Sequence, residues 1–172
     1  LESIVMSNGL ISIGFGAFSG CTSLTGVIIP DSVTSIDILA FQGCSGLTNV
    51  VIPSSVTSIG EVSFSGCTGL TSVTIPGSVT SIGDDAFVDC EGLTEIVIPD
   101  SVTSIGSGII ASCIGLKSLQ IPGFISLPNL KKCFFYWDEH EQEFVAPEAV
   151  DTLPNPGFRL IRQVVDIDLS ER

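Results

Sequence analysis

Positive charge is scarce in this chain. Six Lys and Arg stand against 19 Asp and Glu in 172 residues, a formal net charge of −13, and five of the six bases follow residue 130. Nucleic acid is therefore a poor partner, because affinity for phosphates grows with clustered Lys and Arg. Histidine occurs once: His140, beside Glu141 and Glu143, has neither a second imidazole nor a nucleophile nearby and reads as part of a solvated turn. No two cysteines have the CxxC spacing of a zinc site. No glycine loop precedes a helix to cradle phosphate, and no Ser or Cys sits in a strand–turn–helix elbow. Long apolar runs are missing too. Residues 3–30 and 38–60 carry no charge but are broken by Pro, Gly, Ser and Thr every few positions, whereas a helix crossing lipid needs about 20 mainly apolar residues. The expectation is no enzyme, no cofactor, no metal and no membrane span. The sequence opens on Leu1 and not on Met, so it reads as a fragment or a processed chain.

What is present is regular. Hydrophobic residues make up 44% and charged residues 15% of the chain, which supplies a core and argues against disorder. Ile-Pro recurs at Ile29, Ile52, Ile75, Ile98 and Ile121, a step of 23 each time. Cys21, Cys44, Cys67, Cys90 and Cys113 keep that step, as do Leu24 to Leu116 and the Ser-Ile pairs ending at Ile13, Ile36, Ile59, Ile82 and Ile105. Phe18, Phe41, Phe64 and Phe87 follow it until Ile110 takes the place. Leu1, Ile4 and Met6 fall on the columns of Leu24, Val27 and Ile29. The first residues thus read as a repeat lacking its opening, with earlier repeats or an N-terminal cap expected before it.

Each unit reads as one coil of a solenoid. In LTSVTIPGSVTSIG, Leu70, Val73 and Ile75 point inward from a short strand that Pro76 ends, because proline has no amide hydrogen and biases its predecessor to extended backbone. Val79 and Ile82 turn inward again, and Ala86-Phe87 puts a ring into the interior before the chain closes at Cys90. Gly83 is expected to have a positive φ, and Asp37, which replaces Gly in that column, is expected to tolerate the same conformation. One such coil cannot cover its own apolar flanks. Neighbours must stack on it at about 4.8 Å per coil.

The unit CxxLTxVxIPxSVTSIGxxAF resembles the Treponema-type leucine-rich repeat of BspA-like surface proteins, and its strand half matches the broader LxxLxL pattern. It departs from the commoner leucine-rich type in placing Ser32, Ser55, Ser78 and Ser101 where an Asn or Cys ladder is expected, and later units drift at Ile109-Ile110, Lys117 and Gln120. The resemblance implies a non-enzymatic protein, at the cell surface or secreted, that binds host matrix or cell-surface proteins. The fold expected is a leucine-rich-repeat solenoid: a curved parallel β-sheet of stacked 23-residue coils over residues 1–123, N-terminally incomplete, with a C-terminal β-rich cap.

Several columns invite chemistry. The cysteines read first as free buried thiols acting as small hydrophobes, with a disulfide, involving Cys133, or a metal as alternatives. Thr25, Thr48, Thr71 and Thr94, and Thr34, Thr57, Thr80 and Thr103, read as hydroxyl ladders, since the two-residue Thr alternation of an ice-binding lattice is absent. Asp84, Asp85, Asp89, Glu91, Glu95 and Asp100 read as a solvated acidic edge able to attract a basic partner, without the calcium-binding nonapeptide.

Beyond Gly123 the repeat stops. The run Phe134-Phe135-Tyr136-Trp137, a charged connection and Phe144-Val145 suggest a hairpin that covers the last coil within a cap at 124–150. Residues 151–172 read as linker and tail, with 158–169 a further strand or short helix. Binding candidates are the outward positions of the main strands, Asn49, Val51, Ser72, Thr74, Glu95, Val97, Ser118 and Gln120, together with Tyr136 and Trp137 as exposed aromatics. The partner is a protein. The alternative role is a subunit of a larger assembly docked through the C-terminal segment.

Overall fold

The computed structural model describes residues 2–122 and, beyond them, four short strands at 136–138, 143–145, 159–162 and 165–168. Each coil contributes a longer and a shorter strand. These are β1 (Ser3–Val5) and β2 (Ser12–Ile13), β3 (Gly26–Ile28) and β4 (Ser35–Ile36), β5 (Asn49–Val51) and β6 (Ser58–Ile59), β7 (Ser72–Thr74) and β8 (Ser81–Ile82), β9 (Glu95–Val97) and β10 (Ser104–Ile105), and then β11 (Ser118–Ile121). The longer strands pair in parallel in the order β1-β3-β5-β7-β9-β11, and the Ser-Ile strands form a second parallel sheet, β10-β8-β6-β4-β2. Register follows the repeat: Val27 pairs with Val50, Val50 with Val73, and Ile36 with Ile59. The molecule is a β-solenoid of stacked coils of 23 residues.

A third ladder closes the remaining side. Here N–H groups donate forward to the next coil, Phe18 to Ala40 (2.8 Å), Phe41 to Ser63 (2.7 Å) and Phe64 to Ala86 (2.8 Å). Every side of a central coil is therefore tied to its neighbours, and buried peptide groups find partners without a helix. Inside, Leu47, Val50, Ile52, Val56, Ile59, Phe64 and Cys67 and their equivalents form one continuous core. The Phe18, Phe41, Phe64 and Phe87 rings stack with centroids 5.2, 5.2 and 5.3 Å apart and planes tilted by 18°, 10° and 4°. Each such contact adds about 0.5–1.5 kcal/mol beyond the area buried.

Two expectations need correction. Neither Gly83 nor Asp37 has a positive φ. Glycine is required in that column by proximity: a Cβ on Gly60 would lie 2.6 Å from the Asp37 carbonyl carbon, because the coil below passes directly beneath. Apart from Gly9, the positive-φ positions lie in the third-side turns, at Gly16, Leu39, Val62, Asp85 and Gly108, and at Gly20, Gly43, Gly66, Asp89 and Ser112. The second correction concerns the far end. β12 (Tyr136–Asp138) and β13 (Glu143–Val145) do form an antiparallel hairpin, but as a separate two-stranded sheet. The edge of β11 is taken in parallel by β14 (Arg159–Arg162), which pairs antiparallel with β15 (Val165–Asp168). Residues 151–157, expected to be linker, lie outside the described residues, as do His140 and Cys133.

Candidate functional site

A three-residue strand whose middle residue is buried presents its first and third side chains to solvent. In β5, β7 and β9 the pattern is exposed–buried–exposed. Stacking in register turns these positions into two columns across the long sheet: Ser3, Gly26, Asn49, Ser72, Glu95 and Ser118, and Val5, Ile28, Val51, Thr74, Val97 and Gln120. The structure brings eight of the residues expected from the sequence onto this one face. Asn49, Val51, Ser72, Thr74, Glu95 and Val97 are exposed, whereas Ser118 and Gln120 are half-buried. Among the described strands, that of Tyr136 and Trp137 pairs with β13 and not with this sheet.

The strongest feature of the face reaches beyond the expected Val51. Val5, Ile28 and Val51 are 88, 77 and 60% exposed, an aliphatic stripe across three successive coils. Together with Gly26, Asn49, Thr25, Thr48 and Asp31 they line a groove of about 640 Å³. The signal was available, because Val5 and Ile28 occupy the column of Val51. Gly26, lacking a side chain, leaves the floor open between its neighbours. The other well-exposed aliphatic and aromatic side chains include Ile11 and Phe15, on the first coil, and Ile114 at the far end.

The face is held stiffly. On its Thr flank, the hydroxyls of Thr25, Thr48, Thr71 and Thr94 each donate to the carbonyl 23 residues earlier, at 3.0 to 3.4 Å. Thr34 to Thr103 do the same beside the short sheet. Ser55, Ser78 and Ser101 donate to the carbonyls of Val33, Val56 and Val79 at 2.6 to 2.7 Å. The hydroxyl columns thus bond to backbone of the preceding coil and not to each other.

The thiols at the coil junction are free at Cys21, Cys44, Cys67, Cys90 and Cys113. They are more than small hydrophobes: Cys67 Sγ donates to the Phe41 carbonyl and Cys90 Sγ to that of Phe64, both at 3.2 Å. Burial pushes the Cys44 thiol up to about 11 and those of Cys67 and Cys113 up to about 12, and raises Cys90 further. Thiolate, the form that attacks disulfides and binds metals, is thereby suppressed. Among the described residues, no group of three or more His, Cys, Asp or Glu could hold a metal ion, and no helix is long and apolar enough to cross a membrane.

The late acids are spread around the coil, Glu95 on the long sheet and Asp85 and Asp89 in the third-side turns. Asp84, Asp89, Glu91, Glu95 and Asp100 are exposed and Asp85 is half-buried. Asp85 and Asp89 occupy left-handed turn positions, with φ of 54° and 58°, which Asp tolerates better than most side chains. Burial raises the Asp85 carboxyl above its ordinary value, and the charges of Asp84, Asp89 and Glu61 push the same way. Asp84 Oδ1 accepts from the Ser107 amide at 2.8 Å.

Comparison with known proteins agrees with this architecture. A family profile described as the BspA type leucine rich repeat region matches residues 1–117 and 80–172, with six copies. No curated protein matches. Among solved structures, the chain is similar to a leucine-rich repeat protein of T. pallidum, with 34% identity, a TM-score of 0.67, and coverage of 70% of this chain and 58% of that one. It is also similar to a leucine rich cell surface protein of Faecalibacterium prausnitzii A2-165, with 40% identity, a TM-score of 0.62, and 69% and 32% coverage. A leucine-rich repeat protein of Bacteroides ovatus gives 34% identity, a TM-score of 0.60, and 69% and 39% coverage. The chain therefore spans between a third and three-fifths of the length of these proteins.

Proposed function

Because this chain belongs to the BspA-type leucine-rich repeat family, we propose that it is a protein-binding module of a cell-surface or secreted protein, adhesin-like, engaging host matrix or cell-surface proteins through the outward face of its long sheet. The observation that carries this reading is the exposed stripe Val5, Ile28 and Val51 set in a groove of a stiff β-face. Contiguous exposed apolar surface on a soluble domain marks a place where something else binds. Stiffness helps, since a surface already ordered by inter-coil hydrogen bonds loses little conformational entropy on association. The surface location draws support from the relative with 40% identity, which is itself described as a leucine rich cell surface protein.

The test is binding of the chain to a panel of immobilised, purified host matrix glycoproteins, with Val51→Lys as the face variant. Val51 is 60% exposed, so Lys there should leave folding intact. The reading expects saturable binding to at least one matrix protein, weakened on the order of tenfold by the substitution, as for an interface anchor worth more than about 1 kcal/mol. Binding to none of them, or binding indifferent to Val51→Lys, would overturn it.

A further inference from the structure

Resting on that reading of the face, we propose that the segment it takes up is an extended polypeptide that is both aliphatic and basic, its aliphatic side chains on the Val5–Ile28–Val51 stripe and a Lys or Arg toward Asp31 or, further along the face, toward Glu95.

The aliphatic half follows from exposure: Val5 and Ile28 keep most of their surface in water at 88 and 77%, and only an apolar partner recovers that free energy, about 25 cal/mol per Å² covered. The basic half follows from charge complementarity. Asp31 lines the groove itself, Glu2 heads the column of Thr25 and Thr48 on the opposite flank, Glu95 stands in the column of Asn49, and Asp100 in that of Asp31. Residues 2–122 contain ten acids and a single base, Lys117, which sits at the far end of the face. Asp31 therefore acts within the groove, and Glu95, two coils and about 10 Å beyond Asn49, adds negative charge along the same face. An acidic or nucleic-acid partner is repelled, and a purely polar basic one leaves the stripe hydrated. Spacing narrows the choice further. At about 4.8 Å per coil, Val5 to Val51 spans about 10 Å, so residues i and i+2 of an extended chain both land on the stripe, and Glu95 lies about three residues beyond it.

The experiment selects random displayed 12-residue peptides on the full chain, then measures a synthetic peptide of the enriched pattern against wild type, Ile28→Ser and Glu95→Gln over a salt series. Ile28 and Glu95 are both exposed, so neither change disturbs the core. The expected result is enrichment of two aliphatic residues at i and i+2 with Lys or Arg nearby, roughly tenfold weaker binding to Ile28→Ser, about two- to fivefold weaker binding to Glu95→Gln, and affinity falling as salt rises. Selected peptides that lose binding to Ile28→Ser but carry no base and ignore salt would overturn the charge assignment while leaving the face as the contact surface. Peptides indifferent to Ile28→Ser, or no enrichment at all, would overturn the reading of the face as well.

Discussion

At the scale of single residues, the stack exposes its own weak points. Ser63 is fully buried, and its Oγ is a buried side-chain oxygen without a hydrogen-bond partner. Its column holds Ala40 on one side and Ala86 on the other, so the hydroxyl lies where the fold has room for a methyl and nothing to accept from it. Ser63→Ala should raise stability by about 1–2 kcal/mol in urea denaturation, the cost of an unsatisfied buried hydroxyl; a loss of stability would show that the hydroxyl has a partner. Asp85 is a weak point of another kind. Burial first, then Asp84, Asp89 and Glu61, raise its folded-state pKa above the ordinary 3.8, so the folded chain binds a proton more readily than the unfolded one. Its contribution to stability therefore falls as pH rises from the ordinary value through the raised one. Asp85→Asn keeps a residue suited to the left-handed turn and removes the charge. The melting temperature should be higher than wild type at pH 7, with the gap closing below about pH 4 as Asp85 protonates; a gap independent of pH would contradict this.

At the scale of the element, the repeat is a set of close approaches. A Cβ on Gly69 would collide with the Ser45 carbonyl oxygen of the coil below, whereas one on Gly77 would meet nothing within 4 Å. Neither has a positive φ. Gly69→Ala should therefore cost more than about 2 kcal/mol, while Gly77→Ala should be neutral or stabilising by up to about 1 kcal/mol through the unfolded chain's lost entropy. Equal effects in thermal melts would mean that the coils are not in contact at Gly69. Much of this element was legible in the sequence. The step of 23, the inward Leu, Val and Ile, the Phe column and the stop at Pro follow from period and backbone chemistry alone. The left-handed turns did not, because Leu39 and Val62 occupy positions that glycine fills elsewhere, and no composition signal marks a β-branched residue at positive φ. The glycine column ending at Gly106 is ambiguous in the sequence: close packing and positive φ both demand glycine, and a single sequence does not separate them. The thiol-to-carbonyl bonds were equally hidden, since a cysteine column looks the same whether or not its S–H has an acceptor.

At the scale of the whole molecule, function is a property of the stack. No coil alone makes a site; the groove needs side chains from three successive coils, Val5, Ile28 and Val51. The face is legible as a set of outward positions, but a set that starts at Asn49 leaves out its aliphatic end, Val5 and Ile28, which lies on the two preceding coils. The far end was harder still. Aromatic content pointed to the hairpin at 136–145, whereas it is β14 that continues the sheet, where Leu160 and Ile161 lie opposite Leu119 and Gln120 without any trace of the 23-residue pattern.

Fold and face alike depend on coils stacked in register, which residue-resolved amide hydrogen exchange of the native chain can read coil by coil. The amides of Phe64, Gly69, Thr71 and Thr80 bond to neighbouring coils, as do their counterparts Phe41, Phe87, Gly92, Thr94 and Thr103. Protection should rise and fall with a period of 23 residues across 33–110, slowest in the central coils. Protection without that period would contradict the stack, and with it the binding face that the stack creates.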